Sequence, residues 1–257
     1  MSQMHVEGQL ADNIGYLLIS NPKKFNALPQ SGWLSVQPEV NKLVASGARV
    51  VVVKGDSGNF CAGADISEFD VVRRNAETAR VYEASNVEAF AAIRECQVPT
   101  IAHIEGYCLG GGFGLAAACD LRLASHEAQF AVPAAKLGLG YPVDAMADIV
   151  EAVGAQNAKR LMFAAERYTT GEMKEMGFLL EVLKDGAALD KKVTELAAKI
   201  ARLAPLTHKA TKTTVRALRT GDFASAKAAS DATFDSADYA EGRAAFREKR
   251  TPQFSGK

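Results

Sequence analysis

The chain lacks an excess of charge of either sign, and it lacks any long apolar run. Lys and Arg together number 30, Asp and Glu also number 30, and the sequence pI is about 6.9. No apolar segment approaches the roughly 20 residues of a membrane-spanning helix, and the N-terminal MSQMHVEGQL has no signal-peptide core. We therefore expect neither a nucleic-acid partner nor a membrane partner.

Cysteine is also scarce. Cys61, Cys96, Cys108 and Cys119 show neither CxxC spacing nor a Cys/His ligand pattern. Three of them fall in predicted buried elements, so we interpret them as reduced core thiols. This use of cysteine is typical of a cytoplasmic protein, and the sequence predicts no metal site.

At 257 residues, the chain is long enough for a full hydrophobic core, as one large domain or as a domain with an appendage. Strand and helix patterns alternate through residues 1–187, whereas residues 188–257 have a helical pattern with a break at Pro205. The sequence therefore predicts an α/β core over residues 1–187 and a C-terminal helical region over residues 188–257.

Short apolar segments predict the strands, and longer patterned segments predict the helices. The predicted strands are residues 6–10, 14–20, 49–54, 100–104, 121–124, 128–130 and 178–183. The predicted helices before residue 188 are 29–46, 70–95, 143–153 and 155–164, with a further helix start at 169–172. We expect Pro38 to kink or interrupt the first helix. Residues 70–95 are mostly polar and are predicted to form a lid or an edge over a cleft.

The segment TIAHIEGYCLGGGFGLAAA, residues 100–118, predicts a strand, a glycine-rich turn and a helix. Three consecutive glycines, Gly110 to Gly112, remove every Cβ from the turn, so a ligand can approach the backbone closely. The first N–H groups of a helix have no intrahelical acceptor and lie at the positive end of its dipole. The turn is therefore suited to bind a phosphate or an oxyanion.

A second loop of small residues, GDSGNFCAGADI over residues 55–66, follows another buried strand. One backbone N–H near Ala64 and one near Gly111 are expected to point at a shared position. Two convergent N–H donors form an oxyanion hole.

Two other interpretations of the glycine segment are less favoured. Residues 112–117 match the outline GxGxxA of a dinucleotide fingerprint, but Glu127 lies too close to serve as its acidic residue. His103 and Cys108 suggest a base and a thiol nucleophile, yet they fall on opposite faces of a strand that stays extended. Core packing of both side chains is the favoured interpretation.

Five segments resemble the crotonase (enoyl-CoA hydratase/isomerase) superfamily, in the order and spacing of that family and over essentially the whole chain. They are NPKKFNAL (21–28), FCAGADI (60–66), GYCLGGG (106–112), ACDLR (118–122) and GRAAFREKR (242–250). The resemblance implies a spiral of ββα turns with a C-terminal helical trimerisation region, assembled as a homotrimer or a dimer of trimers. It also implies an acyl-CoA thioester as substrate, with coenzyme A present only as part of it.

The resemblance assigns roles to residues at matching positions. The N–H groups of Ala64 and Gly111 are expected to polarise the thioester carbonyl and to stabilise an enolate, which agrees with the oxyanion hole expected from the glycines. The residues expected at the CoA moiety are Lys23, Ala62, Asp65 and Ile66. Phe246 and Lys249, near the C-terminus, are expected to reach a CoA bound to this or a neighbouring subunit.

One departure from the family pattern bears on the reaction. A hydratase of this family carries two glutamates, at positions that are Gly114 and Ala134 here. Neither residue can transfer a proton. We therefore expect isomerisation, decarboxylation or hydrolysis rather than efficient hydration. The alternatives are a non-catalytic acyl-CoA-binding protein and a hydratase with unconventional acid and base groups.

Asp144 and Tyr141 are the candidates for proton transfer. Asp144 lies at the start of a predicted helix, which in this family begins beside the acyl group, but a carboxylate is favoured at a helix start for structural reasons alone. Tyr141 either donates a proton or a hydrogen bond to the acyl group, or packs in the core or at its rim.

Overall fold

The nine strands form two sheets in residues 4–257, the part of the chain that the computed structural model describes. The strands are β1 (His5–Ala11), β2 (Ile14–Ser20), β3 (Val50–Gly55), β4 (Thr100–Ile104), β5 (Tyr107–Leu109), β6 (Leu121–Ser125), β7 (Gln129–Ala131), β8 (Arg167–Thr169) and β9 (Glu181–Leu183). The larger sheet has the order β1-β2-β3-β4-β6-β9 and the smaller one the order β5-β7-β8.

Ten α-helices accompany these strands in residues 4–257. They are α1 (Gln30–Ala45), α2 (Phe69–Val72), α3 (Ala76–Arg94), α4 (Gly111–Ala118), α5 (Val143–Ala164), α6 (Thr170–Glu175), α7 (Gly186–Ala201), α8 (Pro205–Thr220), α9 (Phe223–Phe234) and α10 (Ala237–Glu248). The α5 segment is interrupted at Gly154, whose φ of 76° is not helical. This agrees with the two helices predicted there.

The chain passes from the larger sheet to the smaller one in each of two successive turns. Strands β4 and β6 are parallel neighbours in the larger sheet, and β5 and β7, which follow them, are parallel neighbours in the smaller one. Helix α4 connects the first turn to the second. This repetition of two strands and a helix is the predicted α/β spiral of ββα turns.

The central strand β3 supplies side chains to two separate cores. Val51 and Val53 pack in the main core, and Val50 and Val52 pack in a second core. Successive side chains of a strand point to opposite faces, so a run of four valines is buried only if both faces are covered. Helix α7 covers the second face.

Helix α3 is fixed against α1 by aromatic side chains. The indole Nε1 of Trp33 donates a hydrogen bond to the Tyr82 hydroxyl at 3.0 Å. The rings of Trp33 and Phe90 meet edge to face at 5.8 Å between centroids. All three side chains are buried, so the orientation of α3 about its own axis is determined by the core.

The predicted single helix over residues 70–95 is wrong in one respect, because it is two helices separated by residues 73–75. Asn75 caps α3 by accepting a hydrogen bond from the Thr78 N–H, and Thr78 returns one to the Asn75 backbone. This capping box favours a new helix start over a continuous helix. The helix is also not merely a polar lid, since it buries a full face in the main core.

Other expectations differ in smaller ways. Helix α1 continues through Pro38 without an interruption. The sequence does not predict strands β5 and β8, which have only three residues each. The C-terminal segment from residue 249 onward is not helical. Its backbone is held by helix α10 instead, because the Asp238 carboxylate accepts hydrogen bonds from Ser255 N and Gly256 N.

The predicted division at residue 187 separates α7 from the sheet on which it packs. Leu189, Val193 and Ala197 of α7 contribute to the second core. Helix α8 is the first helix that contributes no residue to either hydrophobic core. Residues 1–3 of the predicted core lie outside the described residues.

Within residues 4–257, no helix combines the length and the apolar character that a membrane crossing requires.

Gly112 provides a test of the close backbone approach at the start of α4. A Cβ at this position would overlap the Cys61 carbonyl oxygen. We expect Gly112→Ala to lower the free energy of unfolding by about 1–3 kcal/mol, because a packed backbone must move. Chemical denaturation would measure this loss.

The matched control is Gly171→Ala in helix α6. A Cβ there would have only the Thr169 hydroxyl oxygen nearby, at 3.8 Å, and alanine favours the helix. We expect unchanged or slightly increased stability. Equal effects of the two substitutions would contradict the proposed backbone contact.

Candidate functional site

The two glycine-containing loops are joined by backbone pairing. Cys61 N donates to Tyr107 O at 2.8 Å, and Leu109 N donates to Cys61 O at 3.0 Å. This is a parallel bridge between Cys61 and Cys108. The segment after β3 therefore runs beside β5, and the two loops end next to each other.

Gly63 brings the loops into contact. Its φ of 94° lies in the region that favours glycine. A Cβ on Gly63 would lie 2.7 Å from Leu109 O and 3.0 Å from Gly111 N. Any larger residue would push the segments apart, so glycine here places Ala64 and Gly111 in neighbouring backbone positions.

The N–H groups of Ala64 and Gly111 donate to no acceptor in the described part of the chain. Ala64 is held on both sides, because Leu28 N donates to Gly63 O and Asp65 N donates to Leu28 O. Gly111 is the first residue of α4, where an N–H has no intrahelical acceptor. Both donors are thus fixed in position and available.

A cavity of about 110 Å³ lies between these loops, α3 and the segment before α5. Ala64 and Gly111 both line it. The apolar part of its wall is formed by Ile66, Phe69, Phe90, Leu137, Leu139 and Pro142. Its volume suits a small apolar group, and two unpaired donors belong to residues of its wall.

Comparison with known proteins shows the family of the chain. The family model described as Enoyl-CoA hydratase/isomerase matches residues 9–257. The chain belongs to the enoyl-CoA hydratase/isomerase family.

Relatives in this family carry different activities in their names. The chain is 28% identical to the 2,3-dehydroadipyl-CoA hydratase of Escherichia coli (strain K12), over 100% of both chains. It is 29% identical to the peroxisomal Delta(3,5)-Delta(2,4)-dienoyl-CoA isomerase of Arabidopsis thaliana, over 78% of this chain and 76% of the relative. Membership of the enoyl-CoA hydratase/isomerase family therefore does not select one reaction.

Solved structures of the family confirm the fold. An enoyl-CoA hydratase/carnithine racemase from Magnetospirillum magneticum superposes with a TM-score of 0.92 at 30% identity, covering 100% of this chain and 97% of the other. An enoyl-CoA hydratase from Bacillus anthracis gives a TM-score of 0.90 at 26% identity, with 98% and 99% covered.

Five of the residues predicted from the sequence meet at the cavity, and five do not line it. Those that line it are Ala62, Ala64, Ile66, Gly111 and Tyr141. Those that do not are Lys23, Asp65, Asp144, Phe246 and Lys249. Phe246 is 87% exposed on α10, so its predicted contact with CoA, and that of Lys249, remain predictions for this or a neighbouring subunit.

The Asp65 side chain is already engaged within the protein. Its carboxylate accepts hydrogen bonds from Lys24 Nζ at 2.6 Å and from the Ser67 hydroxyl and N–H. Burial opposes ionisation, but the hydrogen bonds from Lys24 and Ser67 outweigh it and lower the pKa of Asp65. The carboxylate therefore stabilises the loop that carries Ala64. Lys24 is the lysine that is fixed there, and the predicted contact of Lys23 with CoA stays a prediction.

Asp144 and Tyr141 have different surroundings. Asp144 is exposed in the first turn of α5. Tyr141 lines the cavity, and burial, together with the nearby Glu83 carboxylate, raises its pKa. Tyr141 is therefore a neutral phenol at neutral pH and can donate a hydrogen bond into the cavity.

The surroundings of Gly114 and Ala134 leave no acid or base at either position. A Cβ on Gly114 would lie 2.7 Å from Cζ of Phe90, so the Phe90 ring occupies the space next to it. Ala134 is buried and contributes to the cavity wall.

A polar cluster in the cavity wall, formed by Arg73, Glu83 and Asn86, is not predicted from the sequence. Arg73 Nη2 donates to Glu83 Oε2 at 3.0 Å, and burial raises the pKa of Glu83. The sequence does contain a pattern for this cluster, because Glu83, Asn86 and Phe90 are spaced three and four residues apart and share one face of α3. The pattern is difficult to recognise because most other residues of this segment are also polar.

The strand predicted over residues 100–104 is confirmed as β4, and it ends before Cys108, which lies in β5. His103 Nε2 lies 2.9 Å from an Asp190 carboxylate oxygen of α7, whereas Cys108 packs in the main core. Burial lowers the pKa of His103 and raises that of Cys108 well above its usual range. The two groups are separated, and the thiol stays protonated at neutral pH, which agrees with the core-packing interpretation.

Proposed function

We propose that the protein is an acyl-CoA thioester enzyme that stabilises a thioester enolate with the backbone N–H groups of Ala64 and Gly111. The observation that carries this proposal concerns the N–H groups of Ala64 and Gly111, which have no acceptor in the described part of the chain. The two residues are neighbours in space and line the same cavity. A carbonyl oxygen placed between them accepts two hydrogen bonds. No separate cofactor is required.

The two donors favour the enolate more than the ground-state thioester. When a proton leaves the α-carbon, negative charge develops on the carbonyl oxygen, and fixed donors bind this charge without reorganising. Gly111 also begins α4, whose dipole places partial positive charge at the same point. Loss of a single donor of this kind typically costs about 100- to 1000-fold in rate.

Contacts to the CoA moiety form a further part of the proposal. Ala62 and Ile66 lie on the loop that carries Ala64, and Lys23 is exposed on the preceding loop. In this proposal, Phe246 and Lys249 contact a CoA that is bound to this or a neighbouring subunit. Assembly as a homotrimer or a dimer of trimers, and a cytoplasmic location, belong to the same proposal.

The reaction is proposed to be an isomerisation, a decarboxylation or a hydrolysis rather than an efficient hydration. Hydration needs a positioned acid and base to activate water and to deliver a proton. Gly114 and Ala134 supply neither. The Phe90 ring lies beside Gly114, and Ala134 contributes only a methyl group to the cavity wall.

Asp144 as a proton-transfer residue stays a prediction. Its carboxylate is exposed and is not part of the cavity wall. The variant Asp144→Asn decides the matter, because turnover that survives unchanged would remove this residue from the mechanism.

Crotonyl-CoA tests the proposed class of reaction. We expect very slow hydration, measured as the loss of absorbance of the enoyl-thioester band, because residues 114 and 134 provide no acid and base pair. An enoyl-CoA hydratase that hydrates crotonyl-CoA serves as the positive control. Rapid loss of absorbance would contradict the inference drawn from Gly114 and Ala134 and would favour a hydratase with unconventional groups.

A thioether analogue tests the oxyanion hole directly. Butyryl-CoA has a thioester carbonyl, whereas S-butyl-CoA carries a methylene group in its place. Two hydrogen bonds of about 1 kcal/mol each predict that the thioether binds roughly tenfold or more weakly. Titration calorimetry with both ligands measures the ratio, and free CoA is the control for the shared part.

Equal affinities for the thioester and the thioether would refute a carbonyl site at Ala64 and Gly111. A tenfold preference for the thioester without turnover of any acyl-CoA would instead favour the second candidate, a non-catalytic acyl-CoA-binding protein.

A further inference from the structure

Three polar side chains belong to the wall of an otherwise apolar cavity. Glu83 and Asn86 lie on one face of α3, and Arg73 lies in the link between α2 and α3. The same cavity is lined by Ala64 and Gly111. The only carboxylate in this wall, among the described residues, is that of Glu83.

The position of Arg73 is fixed by its neighbours. Its guanidinium carbon lies 4.6 Å from the ring centroids of both Phe69 and Tyr82. Its Nη2 donates to Glu83 Oε2 at 3.0 Å. The side chain is only 11% exposed, compared with 33% for Glu83. The glutamate is therefore held by a nearly buried cation.

The hydrogen bonding of the cluster is incomplete. Arg73 Nε and Asn86 Oδ1 are buried and have no partner among the described residues. Buried polar atoms of folded proteins are nearly always paired, so unpaired ones point to a role beyond packing. Both atoms belong to residues of the cavity wall.

We propose that Glu83 is the catalytic residue that removes and returns the proton at the α-carbon of the acyl group, with Arg73 as its positioning residue. This inference rests on the proposed function, since it assigns the base for the enolate that Ala64 and Gly111 stabilise. It places the proton-transfer group on α3, a helix that the sequence alone predicts only as a lid or an edge.

The proton-transfer step is balanced without any co-reactant. A carboxylate oxygen of Glu83 accepts the α-proton, the C–H electron pair forms the carbon–carbon double bond of the enolate, and the carbonyl pair moves onto oxygen. The neutral carboxyl group is partly exposed and exchanges its proton with water, so that it then returns a solvent-derived proton to the α-carbon or, in an unsaturated acyl group, to a carbon further along the chain. The carboxylate base is regenerated in each cycle.

The surroundings of Glu83 suit this role. Burial raises the pKa of Glu83, while Arg73 and the Asn86 amide oppose the increase. A base is most effective when its pKa approaches the working pH. The titratable groups around it include the phenols of Tyr82 and Tyr141, which burial keeps protonated at neutral pH, and the Glu68 carboxylate, which acts on Tyr82 together with Glu83.

Exchange of α-protons with solvent tests the proposal without knowledge of the natural substrate. Butyryl-CoA is incubated with the full chain in D2O, and loss of the α-proton signal is followed by NMR. We expect Glu83→Gln to slow the exchange by about 100-fold or more, while the Kd for butyryl-CoA changes by less than about threefold. Glu83→Asp should retain more exchange than Glu83→Gln.

The matched control is Glu88→Gln. Glu88 is an exposed glutamate of the same helix and does not line the cavity, so the variant should exchange at the wild-type rate. Melting temperatures of all variants establish that they are folded.

Three results would overturn the assignment, and each has a different meaning for the proposed function. Exchange by Glu83→Gln within about threefold of wild type removes Glu83 and leaves the enolate chemistry intact. Binding of butyryl-CoA by wild type without exchange removes Glu83 and favours the non-catalytic binder. Absence of binding removes the thioester site altogether.

Arg73→Gln supplies a readout that a structural role would not change. Loss of the cation should raise the pKa of Glu83, because the charge of Arg73 favours the ionised carboxylate. The rising limb of the exchange rate should therefore move to higher pH. A rate lowered equally at every pH, with no such displacement, would contradict the positioning role.

Discussion

The site depends on a short stretch of backbone pairing between the segment after β3 and strand β5. Cys61 exchanges hydrogen bonds with Tyr107 and Leu109, and this pairing holds two loops that are distant in sequence. One loop supplies the N–H of Ala64 and the other supplies the N–H of Gly111. Because the strands are rigid elements of two sheets, the two donors are held in place before any ligand arrives.

Side-chain size supports this backbone arrangement. Gly63 lets the loops touch, and Gly112 lets the start of α4 approach Cys61. The aromatic contacts of Trp33 fix α3 beside them. The cavity wall thus combines a backbone half, specified by glycines, with a side-chain half, specified by the packing of one helix.

The backbone half could be predicted from the sequence, and the side-chain half could not. Close packing of a helix on a sheet needs one or two glycines but hardly three in a row, so Gly111, with Ala64 on the second loop, followed from local sequence. The short strand β5 did not, because its three residues are defined by pairing with β7 rather than by a pattern of their own. The cavity face of α3 was obscured in the same way, since Glu83 and Asn86 resemble the solvent-exposed polar residues around them until the rotation of the helix is known.

The contact between Phe90 of α3 and Gly114 of α4 makes the side-chain size allowed at one position depend on the side chain at the other. The ring occupies the space that a side chain at residue 114 would need, so a longer residue there requires either a shift of the Phe90 ring or a smaller residue at position 90. Among relatives, these two positions should therefore vary as a compensating pair.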